Sequence, residues 1–154
     1  MENQALQDKF APHNECFGCG PSNAEGLQVK SIVTGEVVKA EWTPQKKYEA
    51  FPGVLNGGIV GALLDCHSNW TAAWHLMQKT KVPTPPCTVT ASYNIKLLRP
   101  TPTDGKVELI ASVVESTDDK ATIKAELIAG GKTCALCEGV FVAVKPGHPA
   151  YHRW

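Results

Sequence analysis

The sequence predicts an α+β domain in which an antiparallel sheet curls around one long central helix. Three observations carry that reading. Gly57 to about Met77 (GGIVGALLDCHSNWTAAWHLM) is apolar on nearly every side, the pattern of a helix surrounded by protein. Four segments rich in Val, Ile, Thr and aromatics follow it, Thr88–Leu98, Lys106–Glu115, Lys120–Ile128 and Thr133–Val144, each with period-2 stretches. Two short alternating segments, Leu27–Val33 and Val37–Trp42, precede it. Two strands, a helix and four strands place a helix against one sheet.

Each element has a local cause. Thr34-Gly35-Glu36 is a turn-like break that joins the first two strands as a hairpin. Asn56 stands where an N-cap belongs, its side-chain oxygen able to accept from a free first-turn N–H. At 1.5 Å per residue the helix spans roughly 30 Å, and the prolines of KTKVPTPP stop it. PTPTDG, STDD and AGGK supply the Pro, Asp and Gly of tight reversals, so the last four strands are expected to pair as an antiparallel meander. Residues 1–26 read as an irregular lead-in, TPQKKYEAFPG as a loop, and 146–154 as a tail whose His148 and His152 have no legible role. The whole, 1–154, is expected to be one domain.

Fifteen basic and fifteen acidic residues balance to zero formal charge, without the basic footprint of nucleic-acid or anionic-membrane binding. No run approaches the ~20 apolar residues of a membrane span, and MENQALQDKF lacks the features of an export signal, so a cytoplasmic location is expected. The six cysteines are then expected as reduced thiols. Cys16-x-x-Cys19 and Cys134-x-x-Cys137 have the outline of a four-thiolate zinc site. Residues three apart in a strand point to opposite faces, which argues against Cys134 and Cys137 sharing one metal; no metal or cofactor is expected. A single sheet with one helix leaves edges exposed, so at least a dimer is expected.

Asp65 is the residue that packing explains least. It lies between Leu64 and Cys66 in a helix with almost no polar face, and carboxylates are rarely buried unless paired. A carboxylate perturbed by burial is a candidate for catalysis. A structural role would pair it with Asn69 one turn on or with His67. Asn56-Gly57-Gly58 is the second feature: a helix start presents free N–H groups and the positive end of the dipole, and glycine lets a carbonyl approach closely. Such a helix start can stabilise a developing oxyanion, although without Asp65 the better reading of Gly-Gly is a tight entry to a crowded helix. Gly57 and Asp65 are ~12 Å apart along a helix, too far to reach one carbonyl, so cooperation requires Gly57 of one subunit and Asp65 of another. Pairs such as Cys66 or Cys87 with His67 or His75 fail the geometry of nucleophilic catalysis, and Trp70 and Trp74, one turn apart, are read as core or pocket wall.

The stretch Val54-Leu55-Asn56-Gly57-Gly58-Ile59 through Leu63-Leu64-Asp65 resembles the His-Gly-Gly…Leu-x-Asp signature of hotdog-fold thioesterases of the phenylacetate-degradation and 4-hydroxybenzoyl-CoA types. Thr90 through Leu98-Arg99-Pro100, the closing GVFVAVKP and the lead-in CFGCGPSNAEGL are similar to other parts of that family, so the resemblance runs from Cys16 to Pro146. It implies a dimeric, in some members tetrameric, acyl-CoA thioesterase. The Gly57 N–H would polarise the thioester carbonyl while Asp65 of the partner subunit attacks it or activates water. Asn56 and Gly58 would line the substrate and Thr90 would place the water. Lys96, Arg99 and Lys132 read first as solvated strand and turn cations, Arg99 being the first candidate among them to meet the CoA phosphates.

Two positions depart from the family. Asn56 stands where His is usual and cannot become a cation; Ala50 stands where some members carry Asn, a role that Glu49 is a candidate to take. The departures keep open a second reading, an acyl-CoA-binding protein without catalysis. A hydratase, suggested by FPGVL before the helix, lacks the His acid/base such enzymes need.

Overall fold

The computed structural model describes residues 3–152, so the outer two positions at each end of the expected 1–154 unit lie outside it. In chain order it contains α1 (Leu6–Phe10), β1 (Ile32–Thr34), β2 (Val37–Trp42), a 3-10 turn (Lys46–Tyr48), β3 (Glu49–Phe51), β4 (Val54–Leu55), α2 (Gly57–Thr80), β5 (Thr88–Leu97), β6 (Val107–Ser116), β7 (Lys120–Ala129) and β8 (Lys132–Ala143). Six strands form one antiparallel sheet in the order β1-β2-β6-β7-β8-β5, and α2 packs against β5 to β8. A long helix held by a curled antiparallel sheet is the hotdog fold.

Period-2 alternation produces the sheet side of the core. Ala121, Ile123, Ala125, Leu127 and Ala129 of β7 are buried in strict alternation, as are Val107, Leu109 and Ala111 of β6. The many alanines let the helix approach closely, and Leu63, Leu64, Trp70 and Leu76 of α2 fill the remaining volume. Burying each such large side chain contributes about 1.5–3 kcal/mol.

The structure corrects four expectations. The last four strands are not one meander: β6, β7 and β8 are, but β5 crosses to the far edge and pairs with β8. The PTPTDG segment is therefore not a hairpin turn; it docks on the β3–β4 pair through Leu55 N–H to the Thr101 carbonyl and Thr103 N–H to the Gly53 carbonyl. The first strand begins at Ile32 rather than Leu27, because Gln28 adopts the left-handed region at φ 54°, which breaks extended pairing. The loop before α2 contains the 3-10 turn and the β3–β4 pair. The lead-in carries α1 and packs Leu6, Ala11 and Cys19 into the core, and at the other end His152 donates its N–H to Cys87 Sγ at 3.2 Å.

Beneath α2 lies a buried polar chain. Gln7 exchanges two hydrogen bonds with Ser31, Ser31 Oγ meets His67 Nδ1 at 2.8 Å, and His67 Nε2 meets the Val38 carbonyl at 2.9 Å. A carbonyl only accepts, so the proton is on Nε2 and the neutral ring accepts from Ser31. Burial holds His67 down at about 4, with the Val38 bond opposing part of that shift.

Candidate active site on the open face of the central helix

Most of α2 is enclosed, but Ile59, Ala62, Asp65, Cys66 and Asn69 are only partly buried and form one stripe. Their spacing of three and four residues places them on a single face. Asp65 is on this stripe, and its Oδ1 accepts a hydrogen bond of 2.7 Å from Thr90 Oγ1. Burial pushes the Asp65 carboxyl upward; the Thr90 bond opposes this, and the neighbouring Cys16 reinforces it.

The position of Thr90 follows from the sheet. The register of β5 against β8 shifts between Thr90 and Ser92, a bulge that leaves Ala91 unpaired. Bulges re-aim side chains beside sites. Upstream of it Thr88 and Thr90 share one face: the Thr88 carbonyl accepts from Asn69 Nδ2 at 3.3 Å, one helical turn beyond the Thr90–Asp65 contact. Asn69 thus pairs with Thr88 and His67 with Ser31 and Val38, so neither is the partner of Asp65. Asn69 Oδ1 is buried and has no hydrogen-bond partner among the described residues.

At the start of α2, Asn56 is the N-cap: its Oδ1 accepts from Gly58 N–H at 2.8 Å and Ile59 N–H at 3.3 Å. Gly57 N–H has no hydrogen-bond acceptor among the described residues, and Asn56, Gly57 and Gly58 are exposed. α2 runs unbroken from Gly57 to Thr80, so Gly57 and Asp65 of one chain stay ~12 Å apart along the axis. Leu97 borders Gly57, where a Cβ would sit 3.2 Å from Leu97 Cδ1. Arg99 is exposed in the segment after β5, away from any salt bridge among the described residues.

Glu49 is not free to replace the absent Asn at Ala50. Its Oε2 accepts from Gly53 N–H at 2.7 Å and Thr103 Oγ1 at 2.5 Å, bonds that close the β3–β4 turn and hold its carboxyl below the ordinary range. Trp70 is core and Trp74 packs at its margin. Sequence reasoning missed the convergence of Cys66 on Cys16 and Cys19; the Cys-x-x-Cys spacing was the signal, and its partner lies beside Asp65 rather than at Cys134 and Cys137. A concavity of about 720 Å³ on the outer sheet face, between Asn94, Ile110, Lys124 and Glu138, is lined by Lys96 but by none of Asn56, Gly57, Gly58, Asp65, Thr90 and Arg99. Polar groups converge instead at Asp65, which meets Thr90 one helical turn from the Asn69–Thr88 contact.

No family model matches the chain, and no curated protein matches it. Solved structures with the same fold do. A thioesterase superfamily protein from Shewanella loihica PV-4 is 30% identical, over 81% of this chain and 98% of that one, with a TM-score of 0.65. A thioesterase related to phenylacetic acid degradation from Ralstonia eutropha JMP134 is 17% identical, covering 81% and 92%, with a TM-score of 0.65. A thioesterase from Haemophilus influenzae is 17% identical, covering 79% and 84%, with a TM-score of 0.62. The last two share the fold. The first, aligned over nearly its whole length, shows the family: this chain belongs to the hotdog-fold thioesterase superfamily. Among the described residues no helix is long and apolar enough to cross a membrane.

Proposed function

We propose that the protein is a cytoplasmic acyl-CoA thioesterase that hydrolyses its substrate at the interface of a homodimer. The observation that carries this reading is the Asp65–Thr90 hydrogen bond on a partly open stripe of the central helix. A carboxylate kept there loses solvation, a cost that catalytic use accounts for.

In the proposed reaction the thioester carbonyl accepts from Gly57 N–H of one protomer, which stabilises the oxyanion as it forms. Asp65 of the other protomer attacks the carbonyl carbon. The C–S bond breaks, CoA leaves as its thiolate, and water then hydrolyses the acyl-aspartyl anhydride. Alternatively Asp65 takes a proton from water, which attacks directly. Thr90 fixes the carboxylate rotamer in both routes and positions the water in the second. Gly58 keeps the approach to the Gly57 N–H open, Asn56 orients it by capping the helix, and Arg99 pairs with CoA phosphates. Pairs of dimers are compatible with the sheet's exposed outer face.

A second reading, an acyl-CoA-binding protein without turnover, is favoured by two occupied groups: the Asn56 oxygen is committed to its cap and Glu49 to its turn. Release of CoA thiol from a panel of aliphatic and aromatic acyl-CoAs, run beside equilibrium binding of the same compounds, separates the two. Turnover on at least one substrate is expected. Saturable binding with no turnover on any would replace the enzyme with the binding protein.

A further inference from the structure

We propose that Cys16, Cys19 and Cys66 form a three-thiolate site for a zinc ion, with water in the fourth position. The site is separate from the thioesterase reading and stands or falls without it.

The three sulfurs come from two distant parts of the chain. Cys16 and Cys19 lie in the lead-in and Cys66 on α2, yet all three Sγ atoms are within 4.8 Å of one another, and Cys16 and Cys66 are 3.8 Å apart. Four ligands arranged tetrahedrally around zinc at ~2.3 Å lie ~3.8 Å from each other. The Cys16–Cys66 separation already has that value, and the widest pair needs to close by no more than ~1 Å. A disulfide needs sulfurs at ~2.05 Å, far closer than Cys16 and Cys66 stand.

The backbone around the pair is shaped to converge them. Gly20 N–H closes a turn on the Cys16 carbonyl at 2.8 Å, and Cys16 N–H is held by Asn14 Oδ1 at 2.8 Å. The backbone N–H groups of Gly18 and Cys19 lie close enough to interact with Cys16, and the Trp70 side chain with Cys19; neighbouring donors of this kind orient a thiolate ligand. Glycine is required at two places: a Cβ on Gly18 would be 2.3 Å from Cys66 Sγ, and one on Gly20 would be 2.4 Å from the Asn14 carbonyl oxygen. Both glycines thus keep the turn tight against α2.

The donor set selects the ion. Three thiolates are soft ligands that favour zinc over magnesium or calcium, which take oxygen. No other His, Asp or Glu among the described residues joins the cluster, and Cys16 is exposed, so solvent has access to the remaining position. Cys87, Cys134 and Cys137 lie outside it. Bound there, the ion fastens the lead-in to α2 at the residue that follows Asp65, a cross-link spanning fifty positions of sequence.

The test is zinc binding by the full chain, reduced and stripped with a chelator, followed by competition against a chromophoric chelator and elemental analysis. One zinc per chain is expected, and cobalt in its place should give sulfur-to-metal charge-transfer absorption. Cys16→Ser, at an exposed position that leaves folding intact, and Cys66→Ser should each weaken binding by on the order of a hundredfold or more. Cys134→Ser, whose hydroxyl can donate to the same carbonyls that Cys134 faces, should bind zinc like the native chain. Folded, reduced protein that takes up no zinc would overturn the proposal, as would equal binding by Cys16→Ser and native protein, or a Cys134→Ser variant that loses the ion.

Discussion

Thr90 Oγ1 donates a 2.7 Å hydrogen bond to Asp65 Oδ1, joining the bulged edge strand to the open stripe of the central helix. This is the contact through which the sheet controls the helix's one carboxylate between Gly57 and Thr80, and several consequences can be measured.

Thr90→Val removes the donor that opposes the effect of burial, so the Asp65 pKa should rise further. The proposed reaction requires the ionised carboxylate, so activity should increase with pH through the Asp65 pKa. In the native protein that acid limb should lie above the ordinary carboxylate range. In Thr90→Val it should shift to higher pH, whereas Thr90→Ser, which keeps a hydroxyl, should resemble the native profile. The pH dependence of kcat/KM checks this.

At the helix start, Asn56→Ala removes the acceptor for Gly58 and Ile59 N–H. A stability loss of about 1 kcal/mol is expected, read as a lower midpoint in urea, while Asn56→Asp should retain the cap and gain from the helix dipole. If Asn56 also orients the Gly57 N–H, Asn56→Ala should lower kcat more than it raises KM, which a role in stability alone would not do.

The buried His67 makes folding pH-dependent. Its folded value is near 4 against an ordinary 6.5, so below pH 6.5 the unfolded chain binds the proton first. Stability should be unaffected by this group above pH 6.5 and fall progressively between 6.5 and 4, by roughly 3 kcal/mol in total. Denaturant melts at several pH values read the slope. His67→Gln, which has no titrating ring, should flatten it.

Most elements defined by alternation or periodicity were legible: β2 matches its expected bounds and β5 to β8 differ only at their ends, whereas β1 begins five residues later than expected and α2 runs three residues past Met77. What sequence did not disclose was decided at long range. The pairing of β5 with β8 depends on how the 98–106 segment docks on β3–β4, information absent from its turn residues. The short α1 has no side-chain cap and is held by the Gln7–Ser31 bonds across twenty-four positions. In the site, Asp65 was conspicuous because a charge broke an apolar run, and Asn56 because caps have a narrow chemistry. The bulge that aims Thr90 is a product of packing that no local pattern announces, and the Cys16-x-x-Cys19 spacing marks a thiol pair without disclosing that packing brings Cys66 to it.

The central claim is that Asp65 performs the chemistry. Its direct test is CoA-thiol release from the best acyl-CoA substrate by native protein and by Asp65→Asn, both shown to be folded and of equal oligomeric state. A fall of roughly a hundredfold or more in the variant, the usual scale for a lost acid-base group, is the predicted result. Undiminished turnover by Asp65→Asn would contradict the account and place the catalytic group elsewhere.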